Sequence, residues 1–181
     1  VAKAWKEKVV VQQAHEQGFV RSRLGAKRHL AEALDSGQGY IASKAERQAV
    51  NFRIQGSCAE QTKLAEARMW QQDLFTGKFD ATCIGPIHDE VVSSVALKDL
   101  FKFLKLKHEC MCANYAGMEV PVVSSIAVGP NFYDQVELGE SSNIVDIVKA
   151  LEAQKVGYEK RENKFMADFC DKLLNLAKEE M

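Results

Sequence analysis

An apolar run from Ala81 to Ile87 is interrupted by His88-Asp89-Glu90 and resumes from Val91 to Val95. Two β-prone segments separated by so short a polar break read as strand, turn and strand. The fold must therefore place a histidine and a carboxylate pair at the tip of a hairpin. Carboxylate oxygens suit Mg²⁺ or Mn²⁺, and a rigid hairpin fixes their position better than a mobile loop would. Taken alone, the triplet reads better as an acidic turn between two strands.

Upstream, Arg47, Asn51 and Gln55 are spaced i, i+4, i+8. On a helix that spacing stacks them on one face, each about 6 Å from the next. They offer a guanidinium and two amides, groups that bind phosphates, sugars and base edges. The stripe is either a solvated helix face or a contact to nucleic acid or nucleotide. Gly56-Ser57 follows, and a further helical pattern runs from about Cys58 to Leu74, closed near Gly77.

The segment Ala45-Glu46-Arg47-Gln48-Ala49-Val50-Asn51-Phe52-Arg53-Ile54-Gln55-Gly56-Ser57 resembles the helix of the family A (DNA polymerase I-like) polymerases that reads the minor groove of the primer-template. His88-Asp89-Glu90 resembles motif C in the palm of that family. The order of the two, and the gap between them, also fit. Gln17-Gly18-Phe19-Val20 to Lys27-Arg28-His29-Leu30 is similar to the glycine-led, basic turn that precedes the minor-groove helix. Val120-Pro121-Val122 and Gly129-Pro130-Asn131-Phe132-Tyr133-Asp134 resemble the last palm strand and the usual C-terminus of the family. The resemblance covers roughly residues 1 to 135.

The resemblance implies template-directed nucleotidyl transfer with primer-template DNA and a deoxynucleoside triphosphate as partners. In the two-metal mechanism, two cations about 4 Å apart activate the primer hydroxyl and stabilise the leaving group. Asp89 is the expected shared ligand of Mg²⁺, with Mn²⁺ as an equivalent. Glu90 is a weaker or indirect ligand, and His88 touches the primer terminus. Arg47, Asn51 and Gln55 donate to minor-groove acceptors, which occupy similar places in every Watson-Crick pair. Lys27 and Arg28 serve the phosphates.

The second palm aspartate of the family and its nucleotide-binding fingers helix have no counterpart in these 181 residues. The expectation is a C-terminal piece that does not polymerise DNA alone and needs an upstream polypeptide, either a fragment of a longer chain or half of a naturally split enzyme. The sequence departs from the family at Ile84-Gly85-Pro86-Ile87, where an unbroken apolar strand is usual. It departs again at Phe52-Arg53, where a proline is common, and at Glu60, which replaces an aspartate. These departures suggest a divergent bacteriophage member acting in the host cytoplasm. Pro86 removes a ladder donor, so its strand should be an edge or bulge there. The alternative class is a noncatalytic DNA-binding or replisome scaffold module that kept the fold. A stand-alone metal nuclease needs more carboxylates near Asp89 than the sequence offers.

Composition adds bounds. The hydrophobic content of 46% and charged content of 27% are globular values. No apolar run approaches a membrane span. Five cysteines without framework spacing suggest free thiols in a reducing compartment. His108-Glu109-Cys110-Met111-Cys112 is a poor zinc cluster, because residues i and i+2 of a helix do not face each other. Residues 1–78 carry 13 Lys+Arg against 8 Asp+Glu, whereas residues 79–135 carry 4 against 7. The basic bias falls on the part expected to face the DNA backbone.

The expected fold is α/β (α+β): an incomplete palm of antiparallel strands carrying the hairpin, flanked by helices, with a helical C-terminal tail. Its parts are residues 1–78 (late-fingers and palm helices), 79–135 (palm strands) and 136–181 (extension). Residues 2–17 read as a helix with Val9, Val10, Ala14 and Trp5 toward a core, closed by Gly18. Residues 19–24 read as a short strand and Gly25 to His29 as a basic turn, for phosphate contact or simple solvation. Ser43 and Glu46 form a capping box. Residues 97–115 read as a helix with Leu100, Phe101, Leu104 and His108 recurring, and Pro121–Val128 as a third palm strand. In the tail, Ser141-Ser142 caps a run with Ile144, Ile147, Val148 and Leu151 on one side. A second run aligns Phe165, Phe169, Leu173 and Leu176. The tail either clamps the partner half or covers the back of the palm, and it is the candidate docking site for a replisome factor.

Overall fold

The computed structural model describes residues 5–115 and 117–181. Helices and small antiparallel sheets alternate along the chain, the mixed α/β class expected. Two compact units emerge. One comprises Val1–Leu64, Pro86–Glu90 and Tyr115–Met118, the other Ala65–Gly85, Val91–Asn114 and Glu119–Met181.

The first unit starts with a π-helical segment, Trp5–Val11, running into α1, Gln12–Gln17. Val10 and Ala14 are buried as expected, but Val9 is 47% exposed because the wide π turn rotates it off the inner face. Residues 2–4 of the expected helix lie outside the described residues. Gly18 closes α1 at φ 69°, its N–H donating to the Ala14 carbonyl at 2.9 Å. A side chain there would also meet the Ala31 Cβ at 2.9 Å, so glycine is needed twice over.

Strand β1, Phe19–Arg21, pairs antiparallel with β2, Lys27–His29. The basic turn expected over Gly25 to His29 is thus confined to residues 22–26, and Lys27, Arg28 and His29 are strand. After the short α2, Ala31–Leu34, helix α3 runs Gly39–Asn51 and passes into a π-helical turn, Phe52–Gly56. Helix α3 begins four residues before Ser43, with Gln38 at its N-cap and no side-chain cap bond, so the capping box is not formed. Ala45 and Ala49, one turn apart, are fully or almost fully buried against Val10, Ala14, Val20, Leu30 and Leu34. Their small side chains let α3 approach this core closely. Helix α4, Ser57–Gln71, continues the chain.

The second unit holds most of the hairpin strands β3, Ala81–Ile87, and β4, Glu90–Val95. A 3-10 turn, Leu97–Asp99, leads into α5, Leu100–Cys112. Leu100, Phe101 and Leu104 are buried, and so is Phe103, whose ring meets those of Phe75 and Phe79 at 5.7 and 5.8 Å between centroids. The third palm strand is shorter than expected. Only β5, Ile126–Val128, is strand, and it pairs with β6, Val136–Gly139, rather than with the hairpin. Among the described residues the sheets are three separate two-stranded pairs.

Helices α6, Ile144–Lys160, and α7, Lys164–Glu179, complete this unit. Asn143, not Ser141-Ser142, caps α6, its side chain accepting from the Val145 N–H at 2.9 Å. One core joins Ile147 and Leu151 of α6, Cys170 and Leu173 of α7, Leu104 of α5 and Val136 of β6. Phe165 is 58% exposed and stands outside this core, contrary to the expected stripe. The inner face of α7 is set instead by Met166, Cys170, Leu173 and Ala177.

Candidate nucleic-acid interface and hairpin tip

Arg47, Asn51 and Gln55 are all exposed, on the face of α3 opposite Ala45 and Ala49. In a strict α-helix each four-residue step overshoots a full turn by about 40°, so Gln55 would drift about 80° from Arg47. The π turn at Phe52–Gly56 turns less per residue and cancels part of that drift, keeping the stripe in line. Gly56 allows the turn to close, because a side chain there would meet the Phe52 ring at 2.9 Å. Among the described residues, none of the three stripe side chains has a hydrogen-bond partner within the chain.

Register settles the geometry of the β1–β2 ribbon. Phe19 stands opposite His29, Val20 opposite Arg28, and Arg21 opposite Lys27. Side chains of directly opposed residues share a face. Lys27 therefore lies with Phe19, Arg21 and His29, while Arg28 lies on the other face with buried Val20. The Lys27 ammonium sits 4.6 Å from the Phe19 ring centroid. The Arg28 guanidinium instead lies 5.9 Å from the Phe52 centroid and donates to Gln48 Oε1 at 3.4 Å. The two residues expected to act together on phosphates are thus separated.

The ribbon is tied down at both ends. The N–H of Ser22 donates to the Ala26 carbonyl at 2.9 Å, and that of Leu30 to the Gly18 carbonyl at 2.8 Å. The Arg23 N–H donates to Ser57 Oγ at 2.8 Å, fixing the loop to the start of α4. That Phe19 and Arg21 share a face with His29 and Lys27 was not legible in the sequence, since pairing partners are invisible to local pattern.

At the hairpin tip a two-residue turn, His88-Asp89, joins β3 to β4. His88 carries φ 56° and Asp89 does not share that region. This is the sign pattern of a type II′ turn, whose first position normally takes glycine. Pro86 lies in a two-stranded sheet, where each strand has an open edge that tolerates its missing N–H. His88, Asp89 and Glu90 are all exposed, and among the described residues their side chains have no hydrogen-bond or ion-pair partner.

Every candidate residue therefore falls in one compact unit: Lys27 and Arg28 on the ribbon, Arg47, Asn51 and Gln55 along α3, and His88, Asp89 and Glu90 at the tip. No group of three or more His, Cys, Asp or Glu side chains that could hold a metal occurs among the described residues. Asp89 and Glu90 have the right donor chemistry for Mg²⁺, which is usually held by one or two carboxylates plus waters and substrate phosphates. Elsewhere, His108 Nε2 lies 3.1 Å from the Ser124 carbonyl and 3.3 Å from Cys112 Sγ. Burial raises the thiols of Cys83, Cys110 and Cys170 above their ordinary value.

Comparison with known proteins bears on this arrangement. The chain is similar to DNA polymerase I of Mycobacterium leprae, 33% identical over 120 residues that make up 66% of this chain and 13% of that protein. It is similar to DNA polymerase I of Pseudomonas aeruginosa, 34% identical over 122 residues, again 66% of this chain and 13% of the relative. DNA polymerase theta of Drosophila melanogaster is 32% identical over 129 residues, 66% of this chain and 6% of that protein. The chain thus spans only a small part of the relatives it matches. The model of DNA polymerase family A matches residues 2–134, which include the ribbon, the α3 stripe and the hairpin tip. The chain belongs to DNA polymerase family A.

Proposed function

We propose that this chain supplies the primer-template-reading helix and one metal-binding carboxylate hairpin of a DNA-directed DNA polymerase. The observation that supports this is the unit that holds both features, with the side chains of Arg47, Asn51, Gln55, His88, Asp89 and Glu90 exposed and without a side-chain hydrogen bond or ion pair among the described residues. Arg47, Asn51 and Gln55 present donors to minor-groove acceptors common to all Watson-Crick pairs. A mispair displaces those acceptors, so the same contacts test pair geometry.

Asp89 is the carboxylate that holds the divalent cation, with Glu90 beside it and His88 against the primer terminus. When bound, the cation supplies Lewis-acid stabilisation of charge at the transferring phosphoryl group. A second carboxylate, and the groups that grip the incoming nucleotide, come from polypeptide outside these residues. That polypeptide is either continuous with this chain or, in a split phage-type enzyme, separate from it.

The test is native mass spectrometry of the protein from its natural source, followed by primer extension with Mg²⁺ on the intact species. Extension that Asp89→Ala abolishes, with DNA binding retained, is the expected result. Extension that survives Asp89→Ala, or an intact species that binds DNA and never extends it, identifies a noncatalytic DNA-binding module instead.

A further inference from the structure

We propose that the outer face of the β1–β2 ribbon, formed by Phe19, Arg21, Lys27 and His29, is a platform for single-stranded polynucleotide. This rests on the polymerase reading above and adds a subsite to it. The four side chains come from two directly opposed pairs on one face. The Phe19 and His29 rings lie 5.8 Å apart at 50°. Over the Phe19 ring sit two cations, the Lys27 ammonium at 4.6 Å and the Arg21 guanidinium at 5.3 Å. Arg21 spends one N–H on the Gly25 carbonyl at 3.2 Å, one of its five donors.

Charge selects a polyanion. Residues 18–30 contain four Lys+Arg and no Asp or Glu. Aromatic surface then selects among polyanions. A duplex presents phosphates but keeps its bases stacked, whereas an unpaired strand offers base faces that stack on rings while its phosphates meet the cations. Arg21, Lys27 and His29 are exposed, so the cations can leave the Phe19 ring for phosphate as a base takes their place. The ribbon needs no rearrangement to bind, because the Ser22–Ala26 and Arg23–Ser57 hydrogen bonds already fix it.

The experiment titrates the full chain against a labelled oligodeoxythymidylate and a blunt duplex of equal length, followed by anisotropy at several salt concentrations. Phe19→Leu keeps apolar bulk and removes the π face, and His29→Ala alters an exposed position. Each is expected to weaken single-strand binding about tenfold and to leave the duplex unchanged. Arg21→Gln with Lys27→Gln, both exposed, is expected to lower the single-strand salt slope by about 1.4. Equal losses on both probes mean phosphate contact alone and overturn the proposal. A wild type that binds DNA while the ribbon variants bind as tightly also overturns it, and leaves the polymerase reading standing. A wild-type chain that binds neither probe overturns the platform and leaves the polymerase reading to primer extension by the intact species.

Discussion

Lys27 and Arg28 are neighbours in sequence, yet they serve opposite faces of one ribbon. Lys27 lies 4.6 Å from the Phe19 centroid, and Arg28 lies 5.9 Å from that of Phe52 and bonds Gln48. The two cations should therefore separate in a binding assay. Lys27→Gln should lower DNA affinity across sequences and reduce the salt slope by about 1, with thermal stability unchanged. Arg28→Gln should leave the slope closer to wild type and cost about 0.5 kcal/mol of stability through its exposed contacts. Salt titrations and thermal melts of the two variants decide the matter. Equal slopes for both would place Arg28 on the DNA as well.

The residues that were legible in advance are those whose signal is local. The hairpin shows because an apolar run brackets three polar residues, and the α3 stripe shows because its spacing is helical. Strand β2 does not show, because Lys27-Arg28-His29 has no apolar alternation and becomes strand only through its pairing with Phe19–Arg21. Ser43 misleads for a related reason. Its hydroxyl is a good cap in principle, but α3 starts at Gly39 because Gln38 already supplies the first carbonyl, accepting from Ile41 and Ala42 at 3.0 and 3.1 Å. Phe165 misleads because the buried face of α7 is chosen by what α6 and β6 present to it, which no local period contains.

The left-handed backbone at His88 has a measurable cost. A non-glycine residue at φ 56° is disfavoured by about 1 kcal/mol, and histidine tolerates it only somewhat better than most. His88→Gly should raise the stability of the chain by up to about 1 kcal/mol in a denaturant titration. If His88 meets the primer terminus, the same change should lower extension by the intact enzyme. More stability with less activity would mark His88 as a residue kept for function. A gain in stability with unchanged extension would reduce it to a turn residue.

The tail's energetics follow from its single core. Leu173 is fully buried among residues of α5, α6 and β6, and Leu173→Ala should cost about 2–5 kcal/mol. Phe165, more than half exposed, should tolerate alanine within about 0.5 kcal/mol. Urea titrations of the two variants read the contrast. A large loss for Phe165→Ala would mean that a partner or a second copy covers that ring in solution.

Alkaline stability should fall in a defined direction. Burial raises the thiols of Cys83, Cys110 and Cys170 above their ordinary value of 9.0, so the folded chain keeps protons that the unfolded chain releases. Lys155 is raised above 10.5, chiefly by its hydrogen bond to Asp171 at 2.7 Å. For both kinds of group the contribution is fully present below the unfolded value and is lost as pH rises through the folded one. Melting temperature should therefore hold steady up to about pH 9 and decline above it. The buried thiols give an independent check, since only the thiolate reacts with alkylating agents. At pH 8 exposed Cys58 should alkylate first, with Cys110 and Cys170 reacting only as the chain unfolds. Rapid modification of Cys170 in the folded protein would contradict its burial on α7, and a melting temperature that rises above pH 9 would contradict the raised thiols and Lys155 from which the decline is derived.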